Sequence, residues 1–135
     1  MTLRGIARAV LVFVCLSIVA SLLLLGGSSS AWQANGPVPG DYTTFAHLFD
    51  SSGVKVTQAD APPREGYWPT SRWRPSEPVT STLAIELPPN LPPGQYVLGV
   101  GMYDPVSGQR LFAYKPDGSE WRDWVIALEP ELALP

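Results

Sequence analysis

Residues 88–111, PPNLPPGQYVLGVGMYDPVSGQRL, constrain the fold of this chain more than any other stretch. The proline pairs at 88–89 and 92–93 offer no N–H to a strand ladder, so they fence off the segment downstream of them. That segment is QYVLGVGMY (95–103), with Tyr96, Leu98, Val100 and Met102 on one face and Val97, Gly99, Gly101 and Tyr103 on the other. This period of two specifies a strand. Glycines spaced by two call for another backbone or an aromatic ring lying close against them. Gly94 opens the strand, and an Asp104-Pro105-x-x-Gly108 turn closes it, with proline at a favoured corner and glycine at the exit. No polar constellation able to do chemistry accompanies it.

The rest of the chain beyond residue 40 fits the same plan. YTTFAHLF (42–49) carries β-branched and aromatic residues on both faces and predicts a strand covered on both sides. DSSG (50–53) turns the chain, Asp50 bonding its own backbone and Gly53 supplying positive φ. VKVTQ (54–58) returns as a partner, with Val54, Val56 and Gln58 sharing a face. Residues 59–78 hold five prolines and no usable period, which predicts an irregular crossover between sheets. VTSTLAIEL (79–87) then places Val79, Ser81, Leu83, Ile85 and Leu87 inward. RLFAY (110–114) is expected to pair with 95–103, and Asp117-Gly118 marks the next hairpin. WRDWVIALE (121–129) is expected as the last strand, and 131–135 as a tail. Six strands with turns at this spacing predict an all-β, antiparallel Ig-like β-sandwich over residues 41–130. Such a sandwich usually has seven strands or more, so six would leave an open edge for a partner to fill.

Upstream lies a different kind of sequence. Residues 9–25 contain no charge; Arg4 and Arg8 precede them, and the first acidic residue is Asp41. Cationic flank, apolar run and then GGSSSA form the layout of a secretory signal or an uncleaved anchor. The run from Ile6 to Leu25 reaches the length of a membrane-spanning helix, with its basic end in the cytoplasm. That reading puts the chain in the cell membrane as a single-pass protein with its C-terminal domain outside the cytoplasm. The alternative is a secreted protein, cleaved after Ala31 and using Ser29 and Ala31 as the small residues before the cut. Residues 26–40 are expected to be a Gly/Ser/Pro tether, with Trp32 as an anchor among lipid headgroups.

Charge and composition exclude several classes. The exported part holds seven basic against twelve acidic residues, a net charge of −5, and no Lys/Arg cluster, so phosphate-driven nucleic-acid binding has no basis. Cys15 is the only cysteine and lies in the apolar run, which leaves no intrachain disulfide. With a single histidine, His47, zinc has no ligand set, and no D-x-D-x-D-G loop offers calcium a site. His47 has no recognisable Ser, Cys or acidic partner and reads as a packed strand residue. No catalytic, cofactor or metal residue is therefore expected. The aromatics stand out instead: Tyr67, Trp68 and Trp73 in the crossover, Trp121 and Trp124 near the C-terminus. Rings of this kind serve as core plugs, protein contacts or glycan-stacking platforms.

GDYTTFAHLFDSSGVKVTQADAPP, PTSRWRPSEPV and LPPNLPPGQYVLGVGMYDPVSGQRL together resemble a β-sandwich module. That module is common at the carboxyl end of large multi-pass bacterial membrane proteins, many with glycosyltransferase-type transmembrane domains. Its patterns read DYTVFVHLLD, PTSxWxPGE and LPPGxYxLxVGLYDPxTGxRL. The likeness spans residues 32–115, with Trp32-Gln33-Ala34 matching the end of an earlier LYWQA strand. Strands that precede that one in the family are replaced here by the apolar leader. The module has no assigned catalytic activity, so the resemblance implies an extracytoplasmic interaction domain. Two roles are expected: docking onto a larger membrane protein or complex, from the open edge and the anchor, or carbohydrate binding at the cell surface, from the loop aromatics and the proteins in which the module occurs.

Overall fold

The computed structural model describes residues 26–128 and 131–135, with side chains from Trp32 onward. Among the described residues the protein is all-β, with seven strands and 3-10 turns of at most four residues. β1 (Gly26–Gln33) and β4 (Pro78–Ile85) form a two-stranded antiparallel sheet. β2 (Thr43–Phe49), β3 (Lys55–Ala61), β5 (Gly94–Tyr103), β6 (Ile126–Ala127) and β7 (Leu132–Leu134) form the other, in the order β3-β2-β5-β6, with β7 also on β5.

Period two does what it predicts in the central strands. β4 alternates strictly, burying Val79, Ser81, Leu83 and Ile85. β5 buries Tyr96, Leu98, Val100 and Met102. These join Ala46 and Leu48 of β2, Trp32 of β1, and Trp73 in one apolar cluster shared by the two sheets.

β2 is covered on both sides, as its sequence implies. Its second face, carrying Phe45, His47 and Phe49, packs under the segment downstream of β5. The two glycines of β5 make this possible. A Cβ on Gly101 would lie 2.3 Å from Phe45 Cζ, and one on Gly99 would lie 2.4 Å from Val125 Cγ1. Arg110 caps the stack, its guanidinium carbon 5.0 Å from the centre of the Phe45 ring. The close approach expected of Gly99 and Gly101 is thus an aromatic one at Gly101, and a valine with the Phe49 ring at Gly99.

Five expectations change. Residues 26–33 form a strand rather than the start of a tether, paired residue by residue with β4 from Gly26↔Ile85 to Gln33↔Pro78. Trp32 in that strand is 1 % exposed and belongs to the core, so its ring is not available to lipid headgroups. The partner expected over 110–114 is reduced to a bridge between Arg110 and Tyr103 and a bond from Leu111 N to Met102 O, 2.8 Å. The chain then leaves the sheet. It returns at Ile126 opposite Val100, continues with Leu128 N donating to Leu98 O (2.8 Å), and ends with Leu132–Leu134 opposite Gly94–Tyr96. One edge of β5 is therefore served by a broken strand whose excursion covers the Phe45 face. This also corrects the continuous strand expected over 121–129: residues 122–124 form a 3-10 turn with Asp123 and Trp124 at positive φ. The expected tail holds β7.

Two smaller corrections have local causes. The ladder between β2 and β3 shifts register after Leu48, leaving Val56 without a facing residue. That bulge turns Val56 toward the core with Ala59 and Ala61, while Gln58 faces outward in a row with Lys55 and Asp60. β4 ends at Ile85, so Leu87 lies beyond it at 39 % exposure.

The turns are made as the aspartates predict. Asp50 Oδ1 accepts from the N–H groups of Ser52 (2.9 Å) and Val54 (3.0 Å), and Asp117 Oδ1 accepts from Ser119 N (2.9 Å). Asp104 Oδ1 accepts from Val106 N at 2.8 Å. Gly53, Gly108 and Gly118 take the left-handed conformation these turns require.

Candidate functional site

The proline-rich crossover does not hang free. Thr70, 1 % exposed, donates its hydroxyl to Gly40 O (2.6 Å) and accepts from Tyr42 N (2.9 Å). Asp41 Oδ1 accepts from Ser71 N at 3.1 Å, and the bonds from Ser71 lower the Asp41 pKa below its ordinary value. Trp73, 4 % exposed, donates its indole N–H to Trp68 O at 2.9 Å. These bonds fold residues 62–77 back against β4 and fix where Trp68 can lie.

The result is an open groove of about 300 Å³ lined by Arg64, Trp68, Glu77, Pro78, Val79 and Thr80. Its lips are held in an uncommon conformation. Arg64 and Glu65 on one side, and Ser76 on the other, have left-handed φ of 49°, 56° and 67°. Such non-glycine residues cost on the order of 1 kcal/mol each and persist only where neighbouring contacts hold them. Those contacts are visible: Ser81 Oγ, buried on β4, accepts from Arg64 N (3.4 Å), and Ser76 N donates to Ala34 O (2.7 Å). Trp68 is half-buried against the core cluster, with part of its ring left to the groove, and Tyr67 beside it is 85 % exposed. The groove combines an indole face with one cation and one carboxylate.

The five aromatics singled out in the sequence do not converge. Tyr67 and Trp68 stand at the groove, while Trp73 is structural and offers no surface to a ligand. Trp121 and Trp124 belong to the excursion that covers the far face of the five-stranded sheet. There Trp124 meets Phe112 edge-on at 4.8 Å and donates to Glu120 Oε2 at 3.3 Å. Lys115 Nζ sits 4.8 Å over the Trp121 ring. Arg64 and Glu77 were not legible as site residues, because the folded-back crossover alone brings them together; Gly66 after the Pro62-Pro63 pair was the only hint of a reversal there.

His47 is buried at 5 % exposure between the rings of Phe45 and Phe49. Burial, with Lys55 and Arg110 nearby, lowers its pKa from 6.5 to about 4. It is a neutral packed residue at ordinary pH. Among the described residues no group of three His, Cys, Asp or Glu could hold a metal ion. No described helix is long and apolar enough to cross a membrane; residues 6–25 lie outside the described part. Comparison of the chain with protein-family models, with curated proteins and with solved structures returns no match.

Proposed function

We propose that this chain is a non-enzymatic, membrane-anchored module with an Ig-like sandwich, held outside the cytoplasm and docking onto a larger membrane protein through the Trp68 groove. The observation that carries this reading is a half-buried indole and an exposed Tyr67 beside a groove whose lips are held in left-handed backbone. Aromatic residues in partly desolvated pockets are what protein contacts are built on.

The course of the chain supports it. β1 is described from Gly26, the residue after the apolar run, and climbs eight residues to Gln33 opposite Pro78. At about 3.3 Å per residue, the groove stands roughly 25 Å from the end at which the chain leaves the leader. Cleavage after Ala31 would remove six of the eight residues of β1, which favours an uncleaved anchor over secretion. The resemblance to extramembrane modules of multi-pass proteins points the same way.

A photo-crosslinking residue at Tyr67, in the full chain in its native membrane, should capture one partner of defined mass. Capture should be lost with Trp68→Ala and absent from the same residue placed at Val106. Equal capture from both positions, or a chain that leaves the membrane as a monodisperse monomer with no adduct, would refute the docking role.

A second reading rests on the same ring. An indole flanked by Arg64 and Glu77 can stack on a sugar and bond its hydroxyls, which would make this a cell-surface carbohydrate-binding module. Glycan binding that persists in Tyr67→Ala and Trp68→Ala variants would remove its basis.

A further inference from the structure

The end of the molecule opposite the groove has its own character. Gly26, the first residue of β1, pairs there with Ile85, the last of β4. Beyond Ile85 come Glu86 and Leu87, then the prolines at 88, 89, 92 and 93, all exposed. The β2–β3 turn arrives at the same end, tied to it by Thr57 Oγ1 donating to Glu86 O at 3.0 Å, and presents Val54. Val54 is 59 % exposed and Leu87 39 % exposed. From Leu87 to Tyr103 the sequence has no charged residue. The Asp50 carboxylate in the turn is taken up by Ser52 and Val54. The rim is thus two exposed aliphatic side chains and four exposed prolines, with Lys55 beside Val54 and Glu86 beside Leu87 as the exposed charges flanking them.

Single exposed apolar residues need no explanation, but their place here does. The apolar run upstream ends at Leu25, the residue before Gly26 at the rim. Adjacent Cα atoms are about 3.8 Å apart, so a domain whose first strand adjoins a span without a spacer has no room to stand off from the bilayer. Resting on the anchor reading, we propose that this rim lies on the bilayer surface, with Val54 and Leu87 in the headgroup layer of a zwitterionic membrane. The contact fixes the module's orientation. It holds the Trp68 groove away from the lipid instead of letting the domain swing about a hinge.

The test uses the full chain with Cys15→Ser and one added cysteine at a time: Val54→Cys, Leu87→Cys, Tyr67→Cys or Val106→Cys. All four positions are exposed, so labelling them with an environment-sensitive fluorophore leaves the core intact. Each protein is reconstituted into phosphatidylcholine vesicles with and without nitroxide-headgroup lipid and recovered by flotation. Labels at 54 and 87 should be blue-shifted and quenched several-fold more than labels at 67 and 106. Vesicle-bound protein with equal quenching at all four positions would overturn the rim contact and leave the anchor standing. Protein that fails to float with the vesicles would overturn both.

Discussion

Gly101 has no room for a methyl group. Its missing Cβ is replaced by the Phe45 ring, which is 1 % exposed and capped by Arg110, so the ring cannot swing aside. Gly101→Ala should therefore destabilise the fold by roughly 2 kcal/mol or more, the scale of an overpacked core. Gly36→Ala, with nothing within 4 Å of its Cβ, should change little. Thermal unfolding of the two variants in detergent measures the contrast. The spacing of these glycines was legible in the sequence, and so was a close approach by a backbone or a ring; that it is the Phe45 ring was not, because Phe45 lies 56 positions away. His47, under the same cover, makes a pH prediction. Its folded pKa lies below the unfolded value of 6.5, so the unfolded chain takes up the proton first. The stability contributed by neutral His47 is complete above about pH 6.5 and is lost as pH falls toward 4, by at most about 3 kcal/mol. His47→Gln should flatten that fall: urea midpoints measured near pH 7 and near pH 4.5 should differ less than in the parent.

At the scale of elements, the strands that could be read were those with large alternating side chains. β4 and β5 announce themselves because Val, Leu, Ile, Tyr and Met recur at every second position. β1 did not, because GGSSSA has low strand propensity and carries no apolar alternation before Trp32; β4 opposite holds it in the sheet. The last strand departs from its sequence pattern for another reason. Its residues are good strand formers, but Asp123 and Trp124 adopt positive φ, and pairing resumes only at Ile126, where the other edge of β5 is open. The crossover had no period at all, and the Thr70 hydroxyl makes the most buried of the side-chain bonds that order it. Thr70→Val should leave the carbonyl of Gly40 and the N–H of Tyr42 without their partner, at a cost of about 2–4 kcal/mol for two buried polar groups. The same change should loosen the groove. Limited proteolysis is expected to cut first between residues 62 and 77 in this variant, and the emission of Trp68 should shift to the red.

At the scale of the whole molecule, the decisive residue is Trp32, because two accounts of the chain assign it opposite places. As an interfacial anchor it would sit in lipid, at the end of a tether, and contribute nothing to folding. In the structure it lies at 1 % exposure in the cluster that both sheets share, on a strand bonded to β4 along its whole length. Removing a buried indole typically costs about 3–5 kcal/mol, a large part of the 5–15 kcal/mol that holds a domain of this size together. Trp32→Ala should therefore lower the unfolding temperature by well over ten degrees, since 1 kcal/mol shifts Tm by about 4–8 °C in a domain of up to 100 residues. On the anchor reading, the same variant should float with vesicles as well as the parent does, because the proposed hold lies in residues 6–25 and the Val54–Leu87 rim. The melt separates the accounts: a tryptophan in lipid would leave it unchanged. It therefore decides whether the folded module includes β1 or starts only at residue 41 beyond a flexible spacer.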